Sequence, residues 1–150
     1  MATLLEQLQK AKKLNETTVK NDLFRFIKTI ETEILDKEKD RIENKSKDIQ
    51  GEALGFYSQA TEIISKGSKK AGEPFTGKDT GDFFKGFYMQ EVSGVLRFGS
   101  KSPHWADIQK SSGVWLSKDL FGLSDEDLKA IIQERLLPFL LQNIRIKLDV

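Results

Sequence analysis

Between two long stretches of helical periodicity lies the run Lys78-Asp79-Thr80-Gly81-Asp82-Phe83-Phe84, followed at once by a strongly aromatic strand candidate. A turn of this chemistry opening an aromatic hairpin limits the chain to helices packed on a small antiparallel sheet. An isolated two-stranded hairpin is marginal in water and needs helices to cover it. The class expected is therefore α+β.

Phe83 to Val92 alternates aromatic and polar residues so that both faces hold rings, and Val95 to Ser100 forms a second, shorter strand. Ser93-Gly94 joins them as a tight turn in which glycine supplies a positive φ. A strand with aromatics on both faces is covered on both sides or lies in an interface. Phe83, Phe84, Phe87, Tyr88, Phe98 and Trp105 are accordingly the candidate interface residues. Val114-Trp115-Leu116 marks a third-strand candidate over about 114–117.

Before this region, Leu4, Leu5, Leu8, Ala11 and Leu14 recur at helical spacing and predict a short amphipathic helix. A second helix is expected from Thr17 or Thr18, either able to cap it, to about Asn44. At the usual rise it would be about 40 Å long. Its later half, Asp36-Lys37-Glu38-Lys39-Asp40-Arg41, is almost all charge. That pattern reads as a solvated face laced with short-range ion pairs. The alternative is a helix end projecting to meet a neighbouring subunit. After the hairpin, Ser124 precedes an acidic first turn and a long amphipathic helix, which Pro138 should kink.

Residues 46–81 are punctuated by glycines and lack periodicity, with an exposed, mobile loop expected over 66–78. The whole reads as one domain, 1–150: a helical arm 1–45, the loop-rich segment 46–81, a hairpin region 82–122 and a C-terminal helix 124–148.

Composition argues against most chemistry. There is no cysteine, so thiol catalysis, disulfides and thiolate zinc sites are excluded. The single histidine, His104, has Asp107 nearby but no nucleophile motif beside it, and reads as a packed histidine. Asp79 is a turn residue, and Asp82 and Glu91 are strand-end charges. The glycines fit neither phosphate-binding fingerprint. No catalytic, metal or cofactor site is expected. The 24 basic and 23 acidic residues nearly cancel, unlike a dedicated nucleic-acid binder. Lys66, Lys69, Lys70 and Lys78 still form a local basic cluster able to touch DNA or a partner. The N-terminus lacks the pattern of a signal peptide, and no apolar run reaches the ~18 residues of a membrane span. A soluble protein made in the cytoplasm, with no membrane contact, is expected.

The order of elements, with Thr80-Gly81, Phe98-Gly99-Ser100 and Pro103-His104-Trp105-Ala106, resembles the head–tail connector and tail-completion (neck) proteins of tailed bacteriophages. Gly51-Glu52-Ala53-Leu54-Gly55-Phe56-Tyr57-Ser58 is similar to a segment of related phage structural proteins. The resemblance covers roughly residues 17–147. The chain departs from it at Phe83 and Phe84, where the family has small or basic residues, and at Asp107-Ile108-Gln109-Lys110. The resemblance implies a non-enzymatic virion component, made in the host cytoplasm, that forms rings of six or twelve copies. Its implied partners are the portal and other neck or tail proteins, and direct DNA contact is compatible with it. The rival reading is a small nucleic-acid-associated module using the lysine loop and the aromatic strands.

Overall fold

The computed structural model describes residues 3–57, 59–76, 82–103, 105 and 119–150. It is α+β, with helices and, among the described residues, a two-stranded antiparallel sheet. The chain groups into two compact units, Met1–Thr32 with Glu126–Val150, and Glu33–Asp125.

The first unit is helical. Helix α1 spans Leu4–Lys13 and starts in a capping box: Glu6 N–H donates to Thr3 Oγ1, and Thr3 N–H donates to Glu6 Oε2 at 2.7 Å. Helix α2 spans Glu16–Thr29 and is capped by Asn15, whose Oδ1 accepts the Thr18 N–H at 2.8 Å. The expected threonine cap is thus corrected. Asn15 sits in extended backbone three residues before Thr18, the geometry a cap requires. The single helix expected from here to Asn44 is also corrected. It is interrupted at Ile30 (φ −106°, ψ 16°), and α3 begins afresh at Glu31 and runs to Glu43. Thr29 Oγ1 donates to Phe26 O at 2.6 Å, the kind of side-chain bond that competes with a helix ladder at its end.

At the C-terminus, α6 (Asp125–Ile131) passes through a π-helical turn, Ile132–Leu136, into α7 (Leu137–Leu148). Leu137 N–H donates to Ile132 O, five residues back. Pro138 has no N–H and its ring would crowd the carbonyl four residues earlier; the wider turn gives it room. Helices α1 and α2 both pack on α7. The Phe26 and Phe139 rings stack in parallel, centroids 4.2 Å apart and 1° between planes. Asp22 accepts from Lys147 Nζ at 3.0 Å and from Asn143 Nδ2 at 3.3 Å, and Lys10 pairs with Asp149 at 3.2 Å.

In the second unit, α3 places Ile34, Glu38, Arg41 and Ile42 on one buried face. The core combines Ile42, Leu54, Tyr57, Phe75, Phe83 and Leu120, with Phe84, Phe87, Trp105 and Phe121 packed against it. The segment 46–76, expected to be loop-rich, is organised. Tyr57 N–H donates to Glu73 O, Gly72 N–H to Tyr57 O and Phe75 N–H to Gly55 O, each at 2.9 Å, closing the segment around α4 (Gln59–Ile64). Backbone amides satisfied this way need no regular periodicity, so the pattern left no signal.

The hairpin strands are β1 (Phe87–Val92) and β2 (Val95–Ser100), in register Phe87↔Ser100 to Val92↔Val95. Ser93 (φ 53°) and Gly94 (φ 79°) both take left-handed backbone, as a two-residue hairpin turn demands. The expected strand from Phe83 is corrected: Asp82–Lys85 is a single helical turn, α5. Helical spacing lets Phe83, Phe84 and Phe87 converge on one cluster, whereas a strand would send Phe83 and Phe84 to opposite faces. Gly86 makes the junction, since a Cβ there would lie 2.5 Å from Ser102 N. The third-strand candidate 114–117 lies outside the described residues.

Candidate assembly surface

Of the residues singled out for an interface, Phe83 is buried within its own unit. Phe84, Phe87 and Trp105 surround it at centroid distances of 5.3, 5.0 and 5.8 Å. Phe121, which sequence periodicity did not single out, joins this group 4.9 Å from Trp105 in an edge-on arrangement. Lys39 Nζ lies 5.4 Å from the centre of the Phe84 ring. Tyr88 and Phe98 are half-buried on the hairpin, where the Tyr88 ring covers Gly99 so closely that a Cβ there would lie 2.7 Å from its hydroxyl. Phe83, Phe84, Phe87, Trp105 and Phe121 therefore build an intramolecular cluster.

Among the lysines, Lys66 and Lys70 are exposed, and Lys69 Nζ stands 5.8 Å over the Tyr57 ring. Lys78 lies outside the described residues, as do the Asp79-Thr80-Gly81 turn, His104 and Asp107. Glu91 Oε1 accepts the Gly94 N–H at 2.7 Å, a role internal to the hairpin.

The charged half of α3 is solvated on one side, where Asp36, Lys39 and Asp40 are exposed and Lys39 pairs with Glu43 at 3.9 Å, but it turns two charges inward. Glu38 is 0% exposed and Arg41 2%. Arg41 Nη1 donates to Lys47 O at 2.6 Å, and Nη2 donates to Leu120 O at 2.6 Å and Gly122 O at 3.1 Å. Glu38 Oε1 accepts the Gly122 N–H at 2.9 Å, while its Oε2 has no hydrogen-bond partner among the described residues. Burial pushes the Glu38 carboxyl up to about 7, opposed by the Gly122 bond and the Arg41 charge. Helical geometry explains the error. Positions 38 and 41 share the face of Ile34 and Ile42, so they turn inward whatever their charge.

Phe56, Ile63, Ile64 and Val95 are exposed in the second unit, but helix-long uncovered apolar faces lie on the helical unit. Helix α1 contains no buried residue. Its half-buried positions are Gln7 and Lys10, with Leu14 just after it, while Leu4, Leu5 and Leu8 are between 50 and 83% exposed. The helix rests on its own unit by its more polar side and turns its leucines outward. Along the C-terminal helix Leu128, Ile132, Leu137 and Leu141 are each between 41 and 49% exposed. Their spacing of four, five and four residues keeps them in one line, because the π turn absorbs the extra residue. Helical periodicity marks Leu4, Leu5 and Leu8 as part of an apolar face. Nothing in a periodicity says whether the surface that covers such a face belongs to the same chain.

A shallow cleft of about 300 Å³ lies beside the Phe26–Phe139 stack, lined also by Asp22, Arg25, Thr29 and Asn143. No group of three or more metal-ligating side chains and no membrane-length apolar helix occurs among the described residues. Comparison of the chain with protein-family models, curated proteins and solved structures found no match.

Proposed function

We propose that the protein is a non-enzymatic structural component that works by assembling into a ring. In this reading it is a head–tail connector, neck or tail-completion protein of a tailed phage, the class its sequence resembles. The observation that supports it is the outward-facing α1. An amphipathic helix whose leucines point away from its own unit leaves apolar area that only another surface can bury. Burial of such area drives association as it drives folding. The C-terminal helix adds a second apolar stripe, with acidic rather than basic residues at one end, and two unlike surfaces on one subunit are what a head-to-tail ring requires. The ring would hold six or twelve copies and meet the portal and other neck or tail proteins in the virion, as the resemblance implies.

Native mass spectrometry across a concentration series, with negative-stain imaging, tests this reading. A closed species of six or twelve copies is the expected result. A monomer at every concentration that binds DNA with steep salt dependence would instead favour the nucleic-acid reading through Lys66, Lys69 and Lys70.

A further inference from the structure

We propose that the contact between copies is made by α1 of one subunit lying antiparallel on the Leu128–Ile132–Leu137–Leu141 stripe of the next. This rests on the assembly reading above and specifies the two surfaces that meet.

Three observations select this pairing. The first is shape: both surfaces are single helix faces, and α1, at ten residues and about 15 Å, fits within a stripe fourteen residues and about 20 Å long. The second is charge. Lys12 and Lys13 are exposed at the C-terminal end of α1, and Asp125 and Glu126 are exposed at the start of α6. In the antiparallel arrangement these lysines meet those carboxylates, Leu8 reaches Leu128 and Ile132, and Leu4 runs toward Leu137 and Leu141. Complementary charges of this kind set orientation and suppress wrong pairings.

The third observation is that two alternatives are repulsive. Another exposed apolar pair, Ile63 and Ile64 on α4, is followed by the exposed Lys66 and Lys70, which repel Lys12 and Lys13. A parallel pairing of α1 with its own copy would bring the same lysines together. Docking α1 on the C-terminal stripe leaves each subunit with one donor face and one acceptor face. Such contacts propagate until they close.

The test uses two variants of the full chain, Leu8→Asp on the donor face and Ile132→Asp on the acceptor face, sized by native mass spectrometry. Each position is exposed, so far-ultraviolet circular dichroism should match the wild type. Leu4→Ser with Leu8→Ser provides a milder donor-face change if the aspartate disturbs the helix. Each variant alone should be monomeric, because no copy can find both faces intact. Their equimolar mixture should give a heterodimer and nothing larger, since one intact donor meets one intact acceptor. Lys12→Glu with Lys13→Glu should weaken assembly at least tenfold, and Asp125→Lys with Glu126→Lys on the other subunit should restore it. If the wild type assembles but Leu8→Asp keeps its size, the donor face is wrong. If Ile132→Asp still self-associates while Leu8→Asp does not, α1 pairs with something other than the stripe. A monomeric wild type would overturn the assembly reading itself.

Discussion

Glu38 and Gly122, 84 positions apart in sequence, are joined by a 2.9 Å hydrogen bond from the Gly122 N–H to Glu38 Oε1. The Gly122 carbonyl in turn accepts from Arg41, one helical turn beyond Glu38. Both polar groups of one peptide residue are therefore held by two buried side chains of α3.

The Glu38 carboxyl, raised to about 7 from the usual 4.5, makes stability depend on pH. Between those two values the folded protein holds a proton that the unfolded chain has released, so stability falls as pH rises through the window. The contribution is fully present below about 4.5 and lost above about 7. Its size is on the order of 3 kcal/mol. Glu38→Gln should flatten this slope and be more stable than the wild type at pH 8. Urea denaturation at pH 5, 6, 7 and 8 checks both; an equal slope in the variant would show that Glu38 is not the titrating group.

Arg41 connects three carbonyls from two separate segments, at 45–50 and 119–122. Lysine keeps the charge but has no planar fork to span them. Arg41→Lys should cost about 3 kcal/mol, and Arg41→Met more, because the carbonyls lose their donor in a dry site. Denaturation midpoints read the loss.

Gly122 has φ +119°, where side chains are strained, although a Cβ there would meet only Ile49 Cγ2 at 3.6 Å. The cost of Gly122→Ala is thus conformational rather than steric, about 1–3 kcal/mol. It should be non-additive with Glu38→Gln, since both loosen the same peptide. A double-mutant cycle measures the coupling, and strict additivity would contradict a shared contact.

In the helical unit, Phe26 and Phe139 stack face to face, and both are half-buried. Phe139→Ala should lower stability by about 2 kcal/mol, less than for a fully buried ring. Phe139→Leu should recover part of it. Thermal melts followed by helical circular dichroism give the comparison.

The fold class was legible because it depends on local signals. The spacing of Leu4, Leu8 and Ala11, the Ser93-Gly94 turn and the acidic start of the C-terminal helix are all short-range chemistry, and each marks an element that forms. The start of β1 was misjudged because Phe83 and Phe84 have strand-like side chains, while their partners Trp105 and Phe121 come from later in the chain. Tertiary packing overrode local preference there. The Asn15 cap was missed in favour of two threonines of similar chemistry.

The sequence alone determined which residues are apolar, where backbone turns, and that the elements alternate as helices and a hairpin. Only the tertiary structure decided which charges go inside and which leucines stay out. Glu38 and Arg41 are buried because carbonyls and an amide from residues 47, 120 and 122 are delivered to them. Leu4, Leu5 and Leu8 are exposed because α1 rests on its other side. Both outcomes depend on contacts between residues far apart in the chain, which a periodicity of three or four residues does not record.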